Sequence, residues 1–141
     1  IKIADIVLAG NPKKNRYKPF DYLNNLAMSM SAGVADLVIS RAGSAIFEIA
    51  SWGVPSIMIP ITNSVSDHQR NNAYSYARSG AAVVIEESNL SDNILVSEVN
   101  RIIRNKIESD KMRKSAKEFA KIDAAEKIAR EIIHIGLKHE R

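Results

Sequence analysis

The sequence of 141 residues contains no cysteine, which excludes disulfide staples, thiolate catalysis and cysteine-ligated metal, without assigning a compartment. It has three histidines, His68, His134 and His139, and they assemble neither a metal-ligand spacing nor a nucleophile triad. Aromatic residues make up only 6% of the chain, and none forms a ribonucleoprotein pattern, so no nucleic-acid partner is expected. Long hydrophobic runs are missing too. No stretch approaches the roughly 20 apolar residues that span a bilayer, and none has the layout of a secretion signal. Cytoplasm is the default these absences leave. No internal repeat or low-complexity linker divides the chain, so a single domain over 1–141 is expected, long enough to bury a core.

What is present is an ordinary globular balance, 45% hydrophobic and 26% charged, with a formal charge of +4 and a pI near 9.4. Most of the basic excess is scattered. Lys106, Lys111, Arg113, Lys114 and Lys117 alternate with Glu108, Asp110 and Glu118, the pattern of solvated helix faces. Lys13, Lys14, Arg16 and Lys18 cluster in a loop, where a weak attraction to anionic lipid headgroups stays open.

The chain is organised around residues 36–60, DLVISRAGSAIFEIASWGVPSIMIP. Asp36 to Ser40 is a short β-branched run of the kind buried in parallel sheets, and Arg41-Ala42-Gly43-Ser44 breaks it with a small turn. From Ser44, residues Ala45, Phe47, Ile49, Ala50 and Trp52 suit a packed helix, which Gly53 can end in a left-handed conformation before Pro55 forbids continuation. Ser56 to Pro60 reads as the next strand. Such a crossover leaves the helix N-terminus, with its free N–H groups and positive dipole end, at the carboxyl edge of the sheet, an anion site that phosphate usually occupies.

Elsewhere, Ile1 to Ala9 has strand composition and Gly10-Asn11-Pro12 ends it; Arg16 to Phe20 is a candidate second strand. Residues 23–32 predict a helix with Leu23, Leu26, Ala27 and Met30 on one face, Met28 and Met30 being read as core filler. Ser66 is placed to cap a helix through Arg78, Gly80 ends it, and Ala81 to Ile85 forms another buried strand. Ser91 is placed to cap a helix whose stripe is Leu95, Val99, Ile102 and Ile103, extended by Ile107. Ser109 is placed to cap a further helix with Met112, Ala116 and Phe119 inward. Asp123 to Glu126 is a capping-box-like start for a last helix with the face Ile128, Ile132 and Ile135. All these stripes are read as core.

The run SRAG at 40–43 with Glu48, then GVPSIMIP at 53–60, DHQRNNA at 67–73 and SGAAVVIEE at 79–87 closely resembles the carboxyl-terminal domain of MurG-type glycosyltransferases. Four blocks in order, within roughly 16–138, make the resemblance specific. It implies an α/β fold, a Rossmann-like parallel sheet flanked by helices, as the carboxyl-terminal half of a GT-B enzyme. It also implies the reaction: inverting transfer of N-acetylglucosamine from UDP-N-acetylglucosamine to a lipid-linked peptidoglycan precursor, lipid I to lipid II, on the inner face of the cell membrane. No cofactor, metal or catalytic base is assigned to this chain, because such a base and most acceptor contacts belong to an amino-terminal domain. The alternative is a non-catalytic nucleotide-sugar module needing a partner chain, the plan of the dolichol-pathway N-acetylglucosaminyltransferase.

The donor site implied by the resemblance takes the backbone N–H groups of Ser44, Ala45 and Ile46 for the diphosphate, with Gly43 allowing close approach; an ordinary strand-to-helix turn is the plain alternative. Glu48 takes the place of the glutamate that accepts hydrogen bonds from both ribose hydroxyls, two vicinal donors matching two carboxylate oxygens; on a first helical turn it is otherwise favoured by the dipole alone. The turn from Gly43 to Glu48 is one residue shorter than in the family pattern. His68 and Gln69 stand where the family contacts the donor sugar, and Asn72 shapes that helix start. Leu23, or alternatively Phe20, stands for the residue that presents backbone groups to uracil. Arg41 lies near the phosphates or pairs with a carboxylate.

The resemblance also implies truncation at the front, since such domains open with a strand, a glycine-rich loop and a helix, and that first strand is central in the sheet. Ile1 to Ala9 reads as the second strand, so the empty slot is expected to be filled by this strand shifting inward, by a second copy through self-association, or by upstream residues.

Overall fold

The β-branched runs that flank the SRAG turn become parallel strands in the computed structural model, which describes residues 2–62 and 67–139. Strand β1 is Val38–Ser40, helix α3 is Ala45–Trp52 and strand β2 is Ser56–Met58, joined in the register Val38 to Ser56, Ile39 to Ile57 and Ser40 to Met58. Strand β3, Ala82–Val84, pairs with β2 in parallel from Ser56–Ala82 to Met58–Val84, giving the sheet order β1-β2-β3. Each strand is shorter than its apolar run: β1 begins two residues late, β2 ends two residues early, and β3 loses one residue at each end. The pairing tapers off through Ile59 N–H to Ser40 O, 2.9 Å, and Ile85 N–H to Met58 O, 3.0 Å.

The helices follow the punctuation in the sequence. Gly53 ends α3 at φ 67° with its N–H on Ala50 O, and Pro55 follows. Helix α4, His68–Arg78, ends before Gly80 at φ 86°. Helix α5, Asp92–Arg104, is capped by Ser91, whose Oγ accepts from Ile94 N–H at 3.4 Å. Helix α6, Lys106–Phe119, begins earlier than expected: Asn105 Oδ1 accepts from Glu108 N–H at 3.1 Å, so Asn105 is the cap and Ser109 lies inside the helix. Helix α7, Ala124–His139, begins as read, although the Asp123 carboxylate is taken by Lys127 Nζ at 2.7 Å. Ser66, read as the cap of α4, lies outside the described residues, and Asp67 in a left-handed conformation directly precedes that helix.

Side chains of β2 alternate between two cores, as a pleated strand covered on both faces requires. Met58 joins Ile46, Ile49 and Ala50 of α3, Ala73 and Tyr76 of α4, and Ala116 of α6; Ile57 joins Ile102 of α5 and Met112 of α6. Phe119 packs on Tyr76 with ring centroids 4.9 Å apart, and Phe47, half exposed at the rim, stacks on Phe119. Helices therefore cover both faces of a parallel sheet, the Rossmann-like arrangement the resemblance implies.

Tyr76 carries a polar atom into this core. Among the described residues neither its hydroxyl nor that of buried Ser56 has a hydrogen-bond partner of good geometry, although the two hydroxyls are neighbours. Burial pushes the Tyr76 hydroxyl up to about 12, and the neighbouring Ser56 hydroxyl offsets part of the rise. Its pKa is raised in the folded state, so its contribution to stability is complete below about pH 10 and is lost as pH climbs toward about 12. Tyr76→Phe is expected to leave stability at neutral pH unchanged or up to about 1 kcal/mol higher, and to remove that alkaline loss. Urea midpoints at pH 7 and pH 11 test both; a clear loss of stability at pH 7 would mean that the hydroxyl is bonded.

Residues 1–33 form a separate compact unit from 34–141. The expected strand over Ile1 to Ala9 is corrected to a helix, α1, Lys2–Val7, and the candidate strand at 16–20 is a 3-10 turn, Lys14–Arg16, followed by irregular chain. Helical residues cannot supply a sheet strand, so the inward shift is not realised; β1 stands at the edge of the sheet, with Ile39 47% exposed rather than buried on both faces. Helix α2, Asn25–Val34, starts where Asn24 Oδ1 accepts from Ala27 N–H at 2.9 Å. Its expected core face is corrected as well: Leu26 and Met30 are 71% and 66% exposed, Met28 is exposed, and Ala32 is its buried residue. In the second unit Ile103 and Ile107 are exposed, since the α5 stripe meets the sheet only through Leu95, Val99 and Ile102. The α7 face is not core either: Ile128, Ile132 and Ile135 are 61%, 64% and 49% exposed. Periodicity gave α7 an apolar side, and that side is exposed.

Candidate functional site

Parallel strands send all their following loops to one edge, and here that edge gathers most of the residues singled out in the sequence. Arg41 to Ser44 follow β1, Ile59 to Thr62 follow β2, and Ile85 to Glu87 follow β3. Helix α3 rises from the first of these loops with buried Ile46, Ile49 and Ala50 fixing it to the sheet, so its N-terminus is held rigidly at the edge.

The turn into α3 leaves donors free. Ile46 N–H reaches Gly43 O at 3.3 Å and Phe47 N–H reaches Ser44 O at 3.1 Å, while the N–H groups of Ser44 and Ala45 have no backbone acceptor among the described residues. Of the three expected phosphate donors, Ile46 is thus already engaged by a long bond, and Ser44 and Ala45 are available. Ser44 makes no side-chain cap, which leaves its hydroxyl available as well. A Cβ at Gly43 would meet nothing within 4 Å, so the surrounding protein does not demand glycine there; open space for an approaching group is what its small size preserves. Glu48 lies exposed on the first turn of α3, and its carboxylate has no partner among the described residues.

Helix α4 supplies the second side. His68 is exposed at its first position, and Gln69 is half-buried with Oε1 accepting from Ile61 N–H at 3.2 Å. That bond orients the amide so that its NH2 group is the part left to donate outward. Asn72 Nδ2 donates to Ala42 O at 3.3 Å and ties α4 to the turn after β1, a structural counterpart of its expected role in shaping the helix start. Arg70 Nε and the Tyr74 hydroxyl both donate to Glu86 Oε1, at 2.9 and 2.7 Å, which anchors the same helix to the loop after β3. Accepting these bonds, the Glu86 carboxylate raises the pKa of both Arg70 and Tyr74.

Arg41 adopts the carboxylate-paired alternative: NH2 donates to Glu87 Oε1 at 2.6 Å and NH1 to Ile59 O at 3.1 Å. The other Glu87 oxygen accepts from Thr62 N–H and Thr62 Oγ1, at 3.2 and 3.1 Å. The Arg41 guanidinium, with both Thr62 donors, holds the Glu87 carboxyl below its ordinary range. Beside Arg41 a cavity of about 230 Å³ is lined by Ile39, Ser40, Ile59 and Leu90. The larger cleft near Asn105 lies away from this edge, and its Arg101 is engaged by Glu98 and Glu108. Leu23 and Phe20 belong to the first unit, where Leu23 is half-buried ahead of α2 and Phe20 is exposed. Thr62, Glu86 and Glu87 were not singled out in the sequence. The signal for the last two was a pair of acids directly after a buried strand, at the end where loops converge.

Comparison with known proteins gives a consistent picture. The glycosyltransferase family 28 C-terminal domain matches residues 5–128. The UDP-N-acetylglucosamine--N-acetylmuramyl-(pentapeptide) pyrophosphoryl-undecaprenol N-acetylglucosamine transferase of Acetivibrio thermocellus is 37% identical over 120 residues, 84% of this chain and 32% of that protein. The protein of the same name from Halothermothrix orenii is 39% identical over 110 residues, 77% of this chain and 29% of its own length. The crystal structure of Acinetobacter baumannii MurG superposes with a TM-score of 0.79 at 25% identity, over 94% of this chain and 38% of that one. The chain thus spans about a third of the length of the curated relatives it matches.

Proposed function

The chain belongs to the glycosyltransferase family 28 C-terminal domain family, and on that premise we propose that residues 1–141 act as the donor-binding domain of an N-acetylglucosaminyltransferase. The donor is UDP-N-acetylglucosamine and the acceptor is a lipid-linked peptidoglycan precursor, lipid I becoming lipid II. The observation that carries this reading is the pair of free N–H groups at Ser44 and Ala45, at the start of a helix rigidly packed on the sheet, beside the open space at Gly43. Backbone donors and the positive helix end suit a diphosphate, and the same groups stabilise the negative charge that grows on UDP as it leaves.

Each remaining residue takes a defined part. Glu48 accepts from the ribose hydroxyls, and His68 and the outward NH2 of Gln69 meet the sugar. Arg41, paired with Glu87, stands two residues before Gly43 in the turn that carries the diphosphate donors. The acceptor hydroxyl attacks the anomeric carbon from the face opposite UDP, inverting it. The base that removes its proton is assigned to another domain, and no residue of this chain is nominated. Work at the inner membrane surface is supported by Lys13, Arg16 and Lys18, exposed near one another in sequence.

Calorimetry of this chain with UDP, UDP-N-acetylglucosamine, GDP and ADP tests the proposal. The two uridine nucleotides are expected to bind selectively, and the chain alone to show little or no transfer. Equal affinity for ADP and UDP would remove the uracil assignment, and robust turnover without a partner domain would remove the argument about the base.

A further inference from the structure

The carboxylate of Glu87 touches the loops after both other strands, and both of its oxygens are engaged in doing so. One oxygen takes the Arg41 guanidinium and the other takes the N–H and hydroxyl of Thr62. Arg41 is two residues before Gly43, so whatever holds it also holds the turn that carries the Ser44 and Ala45 donors. Thr62 adjoins Ile61, whose N–H is fixed by Gln69. The chain from β2 is therefore pinned twice in succession, once by the loop after β3 and once by the residue expected to meet the sugar. We propose that Glu87 is a positioning residue of the donor site, fixing the diphosphate turn and the β2 loop relative to each other through Arg41 and Thr62. This rests on the donor-site reading given above.

The chemistry of the group suits that task. A charged acceptor makes shorter and stronger bonds than a neutral one, and the two oxygens of a single carboxylate can serve a guanidinium and a neighbouring loop at once. Pairing also cancels the Glu87 charge beside the place where a diphosphate would sit; an unpaired carboxylate there would repel it. Ribose recognition stands apart from this arrangement. Glu48 is on α3, which is fixed by the burial of Ile46, Ile49 and Ala50 and not by the Glu87 contacts. Loss of the carboxylate should thus disturb the phosphate and sugar contacts and spare the nucleoside. The Arg41 and Glu87 side chains are 48% and 36% exposed, and exposed pairs contribute little to folding.

The test is calorimetric affinity of wild type and Glu87→Ala for uridine, UDP and UDP-N-acetylglucosamine, with thermal unfolding of each chain. The expected result is affinity for UDP and its sugar nucleotide falling about tenfold, the effect of one charged hydrogen bond, with uridine affinity and melting temperature nearly unchanged. Glu87→Gln keeps an acceptor oxygen for Thr62 and loses the charge, so it is expected to fall between the two; it also carries the measurement should the alanine variant fold poorly. Equal weakening of all three ligands, or of none, in a folded variant would overturn the positioning role. Wild-type chain that binds none of the three would instead overturn the donor-site reading, and this inference with it.

Discussion

Replacing Ile57 by alanine is expected to remove about 2–5 kcal/mol of stability, a large part of what a domain of this size possesses. Ile57 is fully buried at the middle of β2, paired in register with Ile39 on one side and Val83 on the other. Its side chain points into the core shared with Ile59, Ile85, Ile102 and Met112. The substitution deletes three carbons where a rigid ladder prevents the backbone from closing in, so both the lost transfer energy and the cavity are felt. Urea unfolding followed by circular dichroism measures the loss. Ile132→Ala on the exposed face of α7 is the matched control, expected within about 0.5 kcal/mol of wild type. A cost at Ile57 no larger than at Ile132 would mean that β2 is not the centre of the sheet.

Glu48→Gln is expected to weaken UDP binding by about 1–3 kcal/mol, the cost of leaving a hydrogen-bonding group without its partner. Glu48 is exposed and its carboxylate is unpaired among the described residues, so nothing in the chain depends on its charge for support. Folding should be almost untouched, and the effect should appear in the ligand alone. Both ribose hydroxyls donate to the carboxylate in this reading, whereas the glutamine amide accepts through one oxygen only. The preference for UDP over its 2′-deoxy analogue should therefore narrow. If a folded Glu48→Gln chain retains both affinities, the residue is merely a carboxylate favoured by the helix dipole.

The unit at 36–60 was legible because three separate signals agreed: β-branched runs, a small-residue turn, and Gly53 followed shortly by Pro55. The same logic failed at 1–9. Ile3, Ile6 and Val7 fit a helical spacing as well as a strand composition, and a short apolar run does not choose between them; α1 forms its bonds locally. Asn105 was readable in principle, since Asn-Lys-Ile-Glu at 105–108 places an acid three residues after a cap, but Ser109 competed with it. The stripe of α7 was seen correctly and its burial was not, because periodicity identifies an apolar side without saying what lies against it. At the candidate site, residues carried by motif, Gly43, Ser44, Ala45, Glu48 and Gln69, converge on one edge of the second unit. The acid pair at 86–87 marked a strand end, but the partners of Glu87 lie 46 residues away at Arg41 and 25 away at Thr62, and a local pattern does not name them.

The junction at Asn105 bears on how the chain finds this arrangement. A single residue ends α5 with its backbone and starts α6 with its side chain, so the two helices are neighbours at almost no loop-closure cost. The sheet is built on the opposite terms. Its ladders join Val38 to Ser56 and Ser56 to Ala82, separations of 18 and 26 residues, and each crossover must be ordered before its pairing repays the entropy. Long-range contacts of this kind slow folding. The parallel ladders around β2 are therefore expected to set the folding rate, while the α5 and α6 pair rests on contacts close at hand in the chain.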